Sequence, residues 1–358
     1  MKNILIIGNL SDNKFESKIS PLLSSKRFDK FFLFRSRGNF LNNESILSPP
    51  FPLAVSNKFL RIVHDMYNFL YYSSLMLFSK VDCIIGIYLY PHGFYASLLG
   101  NIFKKPVILI LTGTDQKRLI KEKKHVKIFK KAAFWGVRGT HSKNSLESIG
   151  VEEEKIFILH NLFNIEKYKP MINIKKDFDI LSIGFLRKPK RINYVLDTVA
   201  KLKLEFPKIK CLIVGDGDEK SRLIKHAQDL SLLGNIKFRD YHKNVERDIN
   251  ASRILLFTSE SEGLPMVILE SMSCGVPVVA SDIDDIPDVI EHNKNGYLIN
   301  PNSKDDYYKF CYDLLTNVDK YNSFAREARS KIEMLYLENY SRSKILKSWN
   351  KVFKFLEL

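Results

Sequence analysis

Short apolar runs alternate with longer stretches of helical periodicity along the chain. In the first half these runs are four or five residues long and rich in Ile, Val, Leu and Phe. Continuous runs of this length predict strands that are covered on both faces of a sheet. The predicted strands of the first half are Ile4–Ile7, Phe31–Phe34, Cys83–Ile87 and Val107–Leu111.

The same alternation resumes in the second half. There the predicted strands are Ile180–Ile183, Lys210–Val214, Ile254–Phe257, Pro277–Ala280 and Tyr297–Ile299. Strands that alternate with helices predict parallel sheets built from β-α-β units. The fold class is therefore α/β, with two doubly wound domains that bind ligands at the carboxyl ends of their strands.

A polar segment of little periodicity, Lys169–Asp177, separates the two sets of strands. A length of 358 residues also favours two domains. We predict an N-terminal domain over residues 1–170 and a C-terminal domain over residues 171–339. A C-terminal helix at about 340–358 is expected to pack back on the first domain.

One helical segment, Phe59–Phe78, is apolar and aromatic around most of its circumference. Two interpretations stay open. The helix packs under the first sheet, since an apolar stripe is most often core. Alternatively, it lies on a membrane with its rings at the headgroup level.

Positive charge is concentrated in the first half. The chain has a net charge of +16, and residues 1–170 hold 26 Lys/Arg against 13 Asp/Glu, while the remainder holds 30 against 27. This asymmetry indicates an anionic partner such as a membrane surface, a lipid phosphate or a nucleic acid. A solvated basic surface explains it equally well.

Cysteine spacing and hydropathy bear on the cellular compartment. The four cysteines form no C-x-x-C pair, so zinc-site and disulfide-framework patterns are missing and reduced thiols fit best. No apolar run approaches the roughly 18 residues of a membrane span. The first apolar run is also too short for a signal peptide. We expect a cytoplasmic protein, with peripheral contact at the inner face of the membrane as an option.

A strand–turn–helix unit follows the predicted strand Ile254–Phe257. Glu262 stands in the turn, Pro265 suits the first helical turn, and Gly275 suits the C-terminal cap. A helix N-terminus directed into a crevice is a site for a diphosphate. We assign this donor site to Gly263, Leu264, Pro265, Met266 and Val267.

The stretch from Glu262 to Ser281 resembles the signature of the retaining glycosyltransferases of family four. That family has the GT-B fold, with two facing Rossmann-like domains and the active site in the cleft between them. The similarity is strongest over Phe178–Ile299. Within that range the matching segments include Ile213–Glu219, Leu233–Phe238 and Gly296–Ile299. In the first half of the chain the similarity extends to Ser142, Ile149–Val151 and Leu159–Asn161.

The resemblance implies roles for two glutamates eight residues apart. Glu270 would hold the ribose of the donor nucleotide, and Glu262 would contact the transferred sugar near its anomeric carbon. Retention is expected to proceed without a metal, with the leaving phosphate helping to deprotonate the acceptor. Asp216 and Asp218 form a D-x-D pattern, which we interpret as the family's turn and not as a metal site.

A basic loop follows the first strand of the second domain. The resemblance places Lys190 where the family has a lysine that neutralises the leaving diphosphate. Gly184 matches the glycine of the family's Gly-Arg, but Phe185 stands where the arginine is expected. Arg187 or Arg191 could take over that charge. A solvated basic loop is the alternative for the whole cluster.

The remaining site candidates lie in the first domain. Thr112 and Asp115 resemble the family's His-Gly-x-Asp, with the histidine replaced, and Asp115 could equally be a helix N-cap. Asn161 belongs to the segment that closes the domain. We assign these three residues to acceptor or sugar binding. Gly8 follows the first strand, where it would let the loop approach the donor, although a plain turn explains it as well.

The predicted function is retaining, metal-independent transfer of a hexose-type sugar from a UDP- or GDP-linked donor to a glycan or polyprenyl-linked acceptor in surface polysaccharide or lipopolysaccharide biosynthesis. No cofactor is expected beyond this co-substrate. The basic run Lys117–Lys131 would suit anionic headgroups. A sugar-nucleotide epimerase or hydrolase of the same fold is the alternative. A nucleic-acid-binding protein ranks last because no recognition motif supports it.

Overall fold

The chain folds into two compact α/β units. The computed structural model describes residues 2–8, 19–23, 28–34, 46–47, 58–113, 115–121, 126–129 and 131–358. The first unit consists of residues 1–163 and 339–358, and the second of residues 164–338. The second unit is therefore an uninterrupted segment, and the C-terminal residues return to the first.

The boundary lies at residue 163/164, a few residues before the position expected from the sequence. The segment that follows is bound to the second unit. The backbone N–H of Met171 donates to Asn250 Oδ1 at 2.9 Å, and Asn250 Nδ2 donates to the carbonyl of Lys169 at 3.1 Å. Because these bonds hold the predicted linker, it is structured and belongs to the second unit.

The sheet of the first unit, within the described residues, is parallel and has the order β3-β2-β1-β4-β5-β6-β7. Its strands are β1 (Asn3–Ile7), β2 (Lys30–Phe34), β3 (Ile46–Leu47), β4 (Val81–Ile87), β5 (Val107–Ile110), β6 (Phe134–Val137) and β7 (Ile156–Ile158). The four strands predicted from apolar runs are confirmed as β1, β2, β4 and β5. The sequence analysis missed β3, β6 and β7, which are only two to four residues long.

Helices cover both faces of this sheet. They are α1 (Ser20–Leu23), α2 (Lys58–Phe78), α3 (Phe94–Phe103), α4 (Asp115–Lys121), α5 (Val126–Phe129) and α6 (Thr140–Glu147). Tyr72 and Met76 of α2 are buried in the core, as expected for a helix packed under the sheet. Within the described ranges, none of the helices combines the length and apolar character needed to cross a bilayer.

The second unit contains a six-stranded parallel sheet of order β10-β9-β8-β11-β12-β13. Its strands are β8 (Phe178–Ile183), β9 (Cys211–Val214), β10 (Ile236–Arg239), β11 (Ser252–Phe257), β12 (Val278–Ser281) and β13 (Gly296–Ile299). All five apolar runs of the second half are strands. The order is that of a dinucleotide-binding fold, which confirms the α/β doubly wound prediction.

The helices of the second unit are α7 (Ile192–Glu205), α8 (Lys220–Asp229), α9 (Val245–Asn250), α10 (Met266–Ser273), α11 (Lys304–Thr316) and α12 (Val318–Leu335). The last helix, α13 (Arg342–Phe355), belongs to the first unit. It buries Trp349 and Phe353 among apolar side chains of the first sheet, including Ile85 and Ile110.

Candidate functional site

Strands β8 and β11 are neighbours at the point where the strand order of the second sheet reverses. From β8 the chain continues to β9 on one side, and from β11 it continues to β12 on the other. The loops that leave these two carboxyl ends therefore diverge and leave a crevice, which is where ligands bind in doubly wound sheets. The basic loop and the Glu262 loop are these two loops.

Hydrogen bonds join the two loops. The hydroxyl of Thr258 donates to the carbonyl oxygens of Lys190 at 3.1 Å and Arg191 at 3.0 Å. The backbone N–H of Glu260 donates to the carbonyl of Pro189 at 2.9 Å. The basic loop is thus held in register with the end of β11.

Lys190 and Glu262 form an ion pair across this junction, from Nζ to Oε1. Their side chains are 23% and 15% exposed, so water screens the attraction between the two charges less than it does in a fully exposed pair. The lysine ammonium has three donor hydrogens, and a bond to Glu262 leaves others for a phosphate oxygen. The structure therefore brings together two residues that the sequence analysis assigned to catalysis.

Asp284 fixes the backbone at Glu262. Its Oδ2 accepts a hydrogen bond from the Glu262 N–H at 2.8 Å, and its side chain is buried. Asp284 has a φ of 49°, in the left-handed region that asparagine and aspartate tolerate better than most residues. The sequence analysis missed this residue. The run of acidic residues after the strand Pro277–Ala280 was the available signal.

Arg187 and Arg191, which were proposed to replace the arginine expected at Phe185, contact groups other than Glu262. The Arg187 guanidinium lies 5.1 Å from the centroid of the exposed Phe185 ring, as a cation–π contact. Arg191 pairs with Glu260 at 2.9 Å and donates to the carbonyl of Pro301 at 2.8 Å. Neither arginine joins the Lys190–Glu262 pair in this structure, so Arg187 as a catalytic residue stays a prediction.

Helix α10 begins one residue later than expected. Pro265 has ψ 124° and is the cap residue before Met266, not a member of the first turn. The helix ends at Ser273, Cys274 is the cap residue, and Gly275 follows with φ 68°. The Gly275 N–H donates to Met272 O at 3.0 Å, and the Val276 N–H donates to Ser271 O at 2.9 Å. This glycine-terminated end matches the predicted cap.

Glu270 lies in a different environment from Glu262. Its carboxylate is hydrogen-bonded to the Tyr168 side chain, and burial raises the pKa of Glu270 to about 7, partly opposed by that hydrogen bond and by the charge of Lys167. Glu262 precedes the helix and Glu270 lies within it, so the two glutamates do not share a helix face. Tyr168 was not singled out from the sequence.

Gly215 lets the loop after β9 approach the loop after β8 closely. A Cβ built on Gly184 meets no heavy atom within 4 Å, whereas a Cβ on Gly215 would overlap the carbonyl oxygen of Gly184. Asp216, in the D-x-D pattern, has local partners. Its Oδ2 accepts from the Tyr241 N–H at 3.0 Å, and its Oδ1 lies 3.4 Å from Lys220 Nζ. These contacts belong to a structured turn.

The first-unit candidates follow different strands of its sheet. A Cβ on Gly8, after β1, would lie 2.9 Å from Ile87 Cβ, so close strand packing explains this glycine. Asp115 Oδ2 accepts from the Thr112 N–H at 2.8 Å. Asp115 is the first residue of α4, so this bond ties the residue at the start of the helix to the end of the segment that follows β5. Asn161 is half-buried after β7.

The first unit has two further features, a buried histidine and the basic run. His92 lies after β4, and burial lowers its pKa to about 4. The sequence analysis did not single out His92, although the run Tyr90–Gly93 after a predicted strand was an available signal. The basic run Lys117–Lys131 and the predicted loop after Gly8 fall partly on residues 9–12, 122–125 and 130, outside the described residues.

Residues 164–331, which make up most of the second unit, match the family model described as glycosyl transferases group 1. The chain is also similar to the N-acetyl-alpha-D-glucosaminyl L-malate synthase of Bacillus anthracis. The two are 24% identical over 338 residues, which cover 85% of this chain and 79% of that protein.

A second relative is the poly(ribitol-phosphate) alpha-N-acetylglucosaminyltransferase of Staphylococcus aureus, which is 29% identical over 202 residues. This match covers 55% of the present chain and spans only 40% of the relative's length.

Among solved structures, Anabaena Alr3699/HepE in complex with UDP-glucose has a TM-score of 0.76 at 16% identity, with 100% of both chains covered. At this identity the likeness concerns the fold, which is that of the GT-B-like enzymes. The family model thus matches the second unit over residues 164–331, the two relatives are glycosyltransferases by name, and the whole chain shares its fold with Anabaena Alr3699/HepE.

Proposed function

We propose that the chain is a retaining glycosyltransferase that moves a hexose-type sugar from a nucleoside diphosphate sugar to a glycan or lipid-linked acceptor in surface polysaccharide assembly. The observation that carries this proposal is the Lys190–Glu262 pair at the switch point of the second sheet. A cation and a carboxylate side by side fit the two ends of the bond that breaks, with phosphate on one side and sugar on the other.

Lys190 and the α10 N-terminus would bind the donor diphosphate. Negative charge grows on the leaving phosphate as the glycosidic bond breaks, so a fixed ammonium stabilises the transition state more than the ground state. The helix N-terminus at Gly263–Val267 adds oriented backbone dipoles. These charges of the chain itself support metal-independent transfer, with no cofactor beyond the UDP- or GDP-linked co-substrate.

Glu270 would accept hydrogen bonds from the ribose hydroxyls of the donor nucleotide, and Glu262 would contact the transferred sugar. A carboxylate can accept two hydroxyl hydrogen bonds at once. The Tyr168 hydroxyl already occupies Glu270 in this structure, which indicates that the carboxylate is placed to receive a hydroxyl group. Asp284 keeps the Glu262 backbone in place through the 2.8 Å bond to its N–H.

Retention of configuration is supported by what the relatives make. Both curated relatives are named for α-N-acetylglucosaminyl products. In common UDP- and GDP-hexose donors the sugar is α-linked to the diphosphate. An α-linked product therefore keeps the anomeric configuration of the donor. The leaving phosphate oxygen would take the acceptor proton on the same face. Thr112, Asp115 and Asn161 are the first-unit side chains proposed for the acceptor and the sugar.

The test is turnover with a panel of UDP-, GDP- and ADP-sugars, scored as release of nucleoside diphosphate and, with acceptor, by the anomeric configuration of the product. Glu262→Gln should lose most of the release. Glu260→Gln, two residues away and also ion-paired, should keep it. Chelator should leave the rate unchanged. A folded protein that neither binds nor turns over any nucleotide sugar would contradict the proposal.

A further inference from the structure

Tyr168 is held at both ends by groups of the second unit. Its carbonyl oxygen accepts hydrogen bonds from Arg329 Nη1 at 3.1 Å and from the Ser273 hydroxyl. Its own hydroxyl is hydrogen-bonded to the Glu270 carboxyl group. Glu270 and Ser273 are three residues apart in α10 and therefore lie on the same side of that helix. The Tyr168 side chain thus runs along α10, from the last residue of the helix back towards Glu270.

Arg329 connects this end of α10 to α12. The same Nη1 atom also donates to the Ser273 carbonyl at 2.7 Å and to the Ser273 hydroxyl at 2.9 Å. On its other side, Arg329 Nε is paired with Glu333 at 2.7 Å. A guanidinium group is planar and its donors have fixed directions, so the position of the Tyr168 carbonyl is set by two helices at once.

The residues on either side of Tyr168 are fixed as well. Lys167 Nζ donates to the carbonyl of Lys243 at 2.8 Å. The carbonyl of Lys169 accepts from Asn250 Nδ2 at 3.1 Å. Because three consecutive residues are bound to different parts of the second unit, little freedom remains for the Tyr168 backbone. A tyrosine side chain has only two rotatable bonds, so its hydroxyl is placed nearly as firmly as its backbone.

With Glu270 ionised, the hydrogen bond runs from Tyr168 to the carboxylate. Burial and the neighbouring Glu270 charge raise the pKa of the Tyr168 hydroxyl, so the tyrosine stays protonated and donates. A carboxylate has about four acceptor positions on its two oxygens, and this bond takes one of them. The remaining positions can still accept both hydroxyls of a ribose. Tyr168 is therefore placed to orient the carboxylate without filling it.

We propose that Tyr168, held by Arg329 and Ser273, is a positioning residue that fixes the Glu270 carboxylate before the donor ribose binds. This role rests on the proposed function, because ribose binding by Glu270 belongs to that function. A free glutamate side chain would have to be ordered when the nucleotide binds, and fixing it in advance removes that cost. The opposite role would be a plug, in which the Tyr168 hydroxyl stands in for a ribose hydroxyl and must leave first. The two roles predict changes of opposite sign when the hydroxyl is removed.

The first variant is Tyr168→Phe, which removes one oxygen and keeps the ring. Its affinity for UDP and GDP is measured by titration calorimetry, beside the 2′,3′-dideoxy form of each nucleotide. We expect the better-bound ribonucleotide to bind about two- to tenfold more weakly, the range that corresponds to ordering one long side chain. Binding of its dideoxy form should be unchanged, because that form has no ribose hydroxyls for Glu270 to hold. In donor turnover, KM should rise by the same factor and kcat should stay within about twofold, since the ribose is bound equally before and during the reaction.

Further variants test the far end of this network. Arg329→Met removes the donor to the Tyr168 carbonyl and should also weaken ribonucleotide binding, whereas Arg329→Lys keeps one cationic donor and should restore part of the loss. Glu333→Gln is the matched control. It breaks the other pair of Arg329, at a glutamate that is 53% exposed, and should bind as the unmodified chain does. Thermal unfolding without nucleotide checks that each variant is folded, and Tyr168→Phe decides the question if Arg329→Met is not.

The titration of Glu270 gives a readout that needs no nucleotide. Burial raises the pKa of Glu270 to about 7, the Tyr168 hydrogen bond and the charge of Lys167 lower it, and the charge of Glu246 raises it. The other titratable groups that feel the Glu270 charge are Tyr241 and Cys274. Tyr168→Phe should therefore raise the pKa of Glu270, followed by NMR of its carboxyl carbon. The pH below which the ribonucleotide binds weakly should move up with it.

Tighter ribonucleotide binding by Tyr168→Phe would overturn the proposal in favour of the plug. An equal loss for the ribonucleotide and its dideoxy form would also overturn it, as would a lower unfolding temperature with unchanged binding, since Tyr168 would then act only in folding. An unchanged Glu270 titration in Tyr168→Phe would count against the positioning contact whatever the nucleotide result. If the unmodified chain bound no nucleotide while Tyr168→Phe still raised the Glu270 pKa, the donor site would be wrong and the Tyr168 contact would stand.

Discussion

Removing the charge of Lys190 should separate the folding role of the Lys190–Glu262 pair from its catalytic role. The variants are Lys190→Met, Glu262→Gln and the double variant. Methionine keeps much of the lysine stem, and glutamine keeps the shape of glutamate. Lys190→Met leaves a carboxylate that is only 15% exposed without its ammonium partner. The double variant leaves no charge at the pair.

The size of the stability change follows from burial. A hydrogen bond to a charged group that is lost on one side costs about 1–3 kcal/mol. For a unit of this size, each kcal/mol lowers the midpoint of thermal unfolding by about 2–4 °C. Lys190→Met should therefore lower the unfolding temperature of the second unit by about 2–12 °C, and the double variant should recover most of that loss.

Activity should behave differently. Lys190→Met should lower the turnover number by about 100- to 1000-fold, the range found when one preorganised donor to a developing anion is removed. The double variant should be no more active than Lys190→Met. Glu260→Gln breaks the Arg191–Glu260 pair, whose glutamate is 42% exposed, and should cost less than about 1 kcal/mol while keeping activity.

The assay combines thermal unfolding, with and without UDP, and initial rates of UDP release. The transition that UDP raises identifies the second unit. The reasoning would be refuted if the double variant regained activity together with stability, since the pair would then act only in folding. It would also be refuted if Lys190→Met were fully active.

Two further predictions concern the same unit. Because burial raises the pKa of Glu270 to about 7, its carboxyl group stabilises the folded state fully below its unfolded pKa, and this contribution is lost as pH rises through about 7. Donor affinity should change in the opposite sense, weakening as pH falls through 7, and Glu270→Gln should remove both dependences in titration calorimetry and thermal unfolding. Gly215→Ala should destabilise the chain by more than about 2 kcal/mol in chemical denaturation, since the new methyl group overlaps Gly184 O, while Gly234→Ala meets no atom within 4 Å and should be within about 0.5 kcal/mol of the unmodified chain.

Much of the second unit could be predicted from local sequence. Strands such as Ile254–Phe257 are buried on both faces of the sheet, so they must be continuously apolar, and that pattern is visible in one dimension. Gly275 was identifiable as a helix end because the left-handed conformation selects glycine. Prediction was weaker where strands are very short, as in β7, or interrupted by glycine, as in β6.

The site itself could be predicted only in part. Glu262, Lys190 and Glu270 stand out because they flank strand ends and a helix N-terminus, and strand ends meet at one edge of a parallel sheet. Their partners are far away in sequence. Tyr168 contacts Glu270, and Asp284 contacts the Glu262 backbone, only after the chain has folded.

The sequence alone determined the alternation of strands and helices, the two α/β domains and the excess of positive charge, because these depend on residue type and local order. Tertiary structure decided that Lys190 pairs with Glu262 while Arg187 does not, because both side chains lie in one loop and only their direction differs. It also decided that α2 is apolar on its outward side as well as its inward side. A helical pattern shows how apolar a segment is, but packing determines which of its faces the core covers.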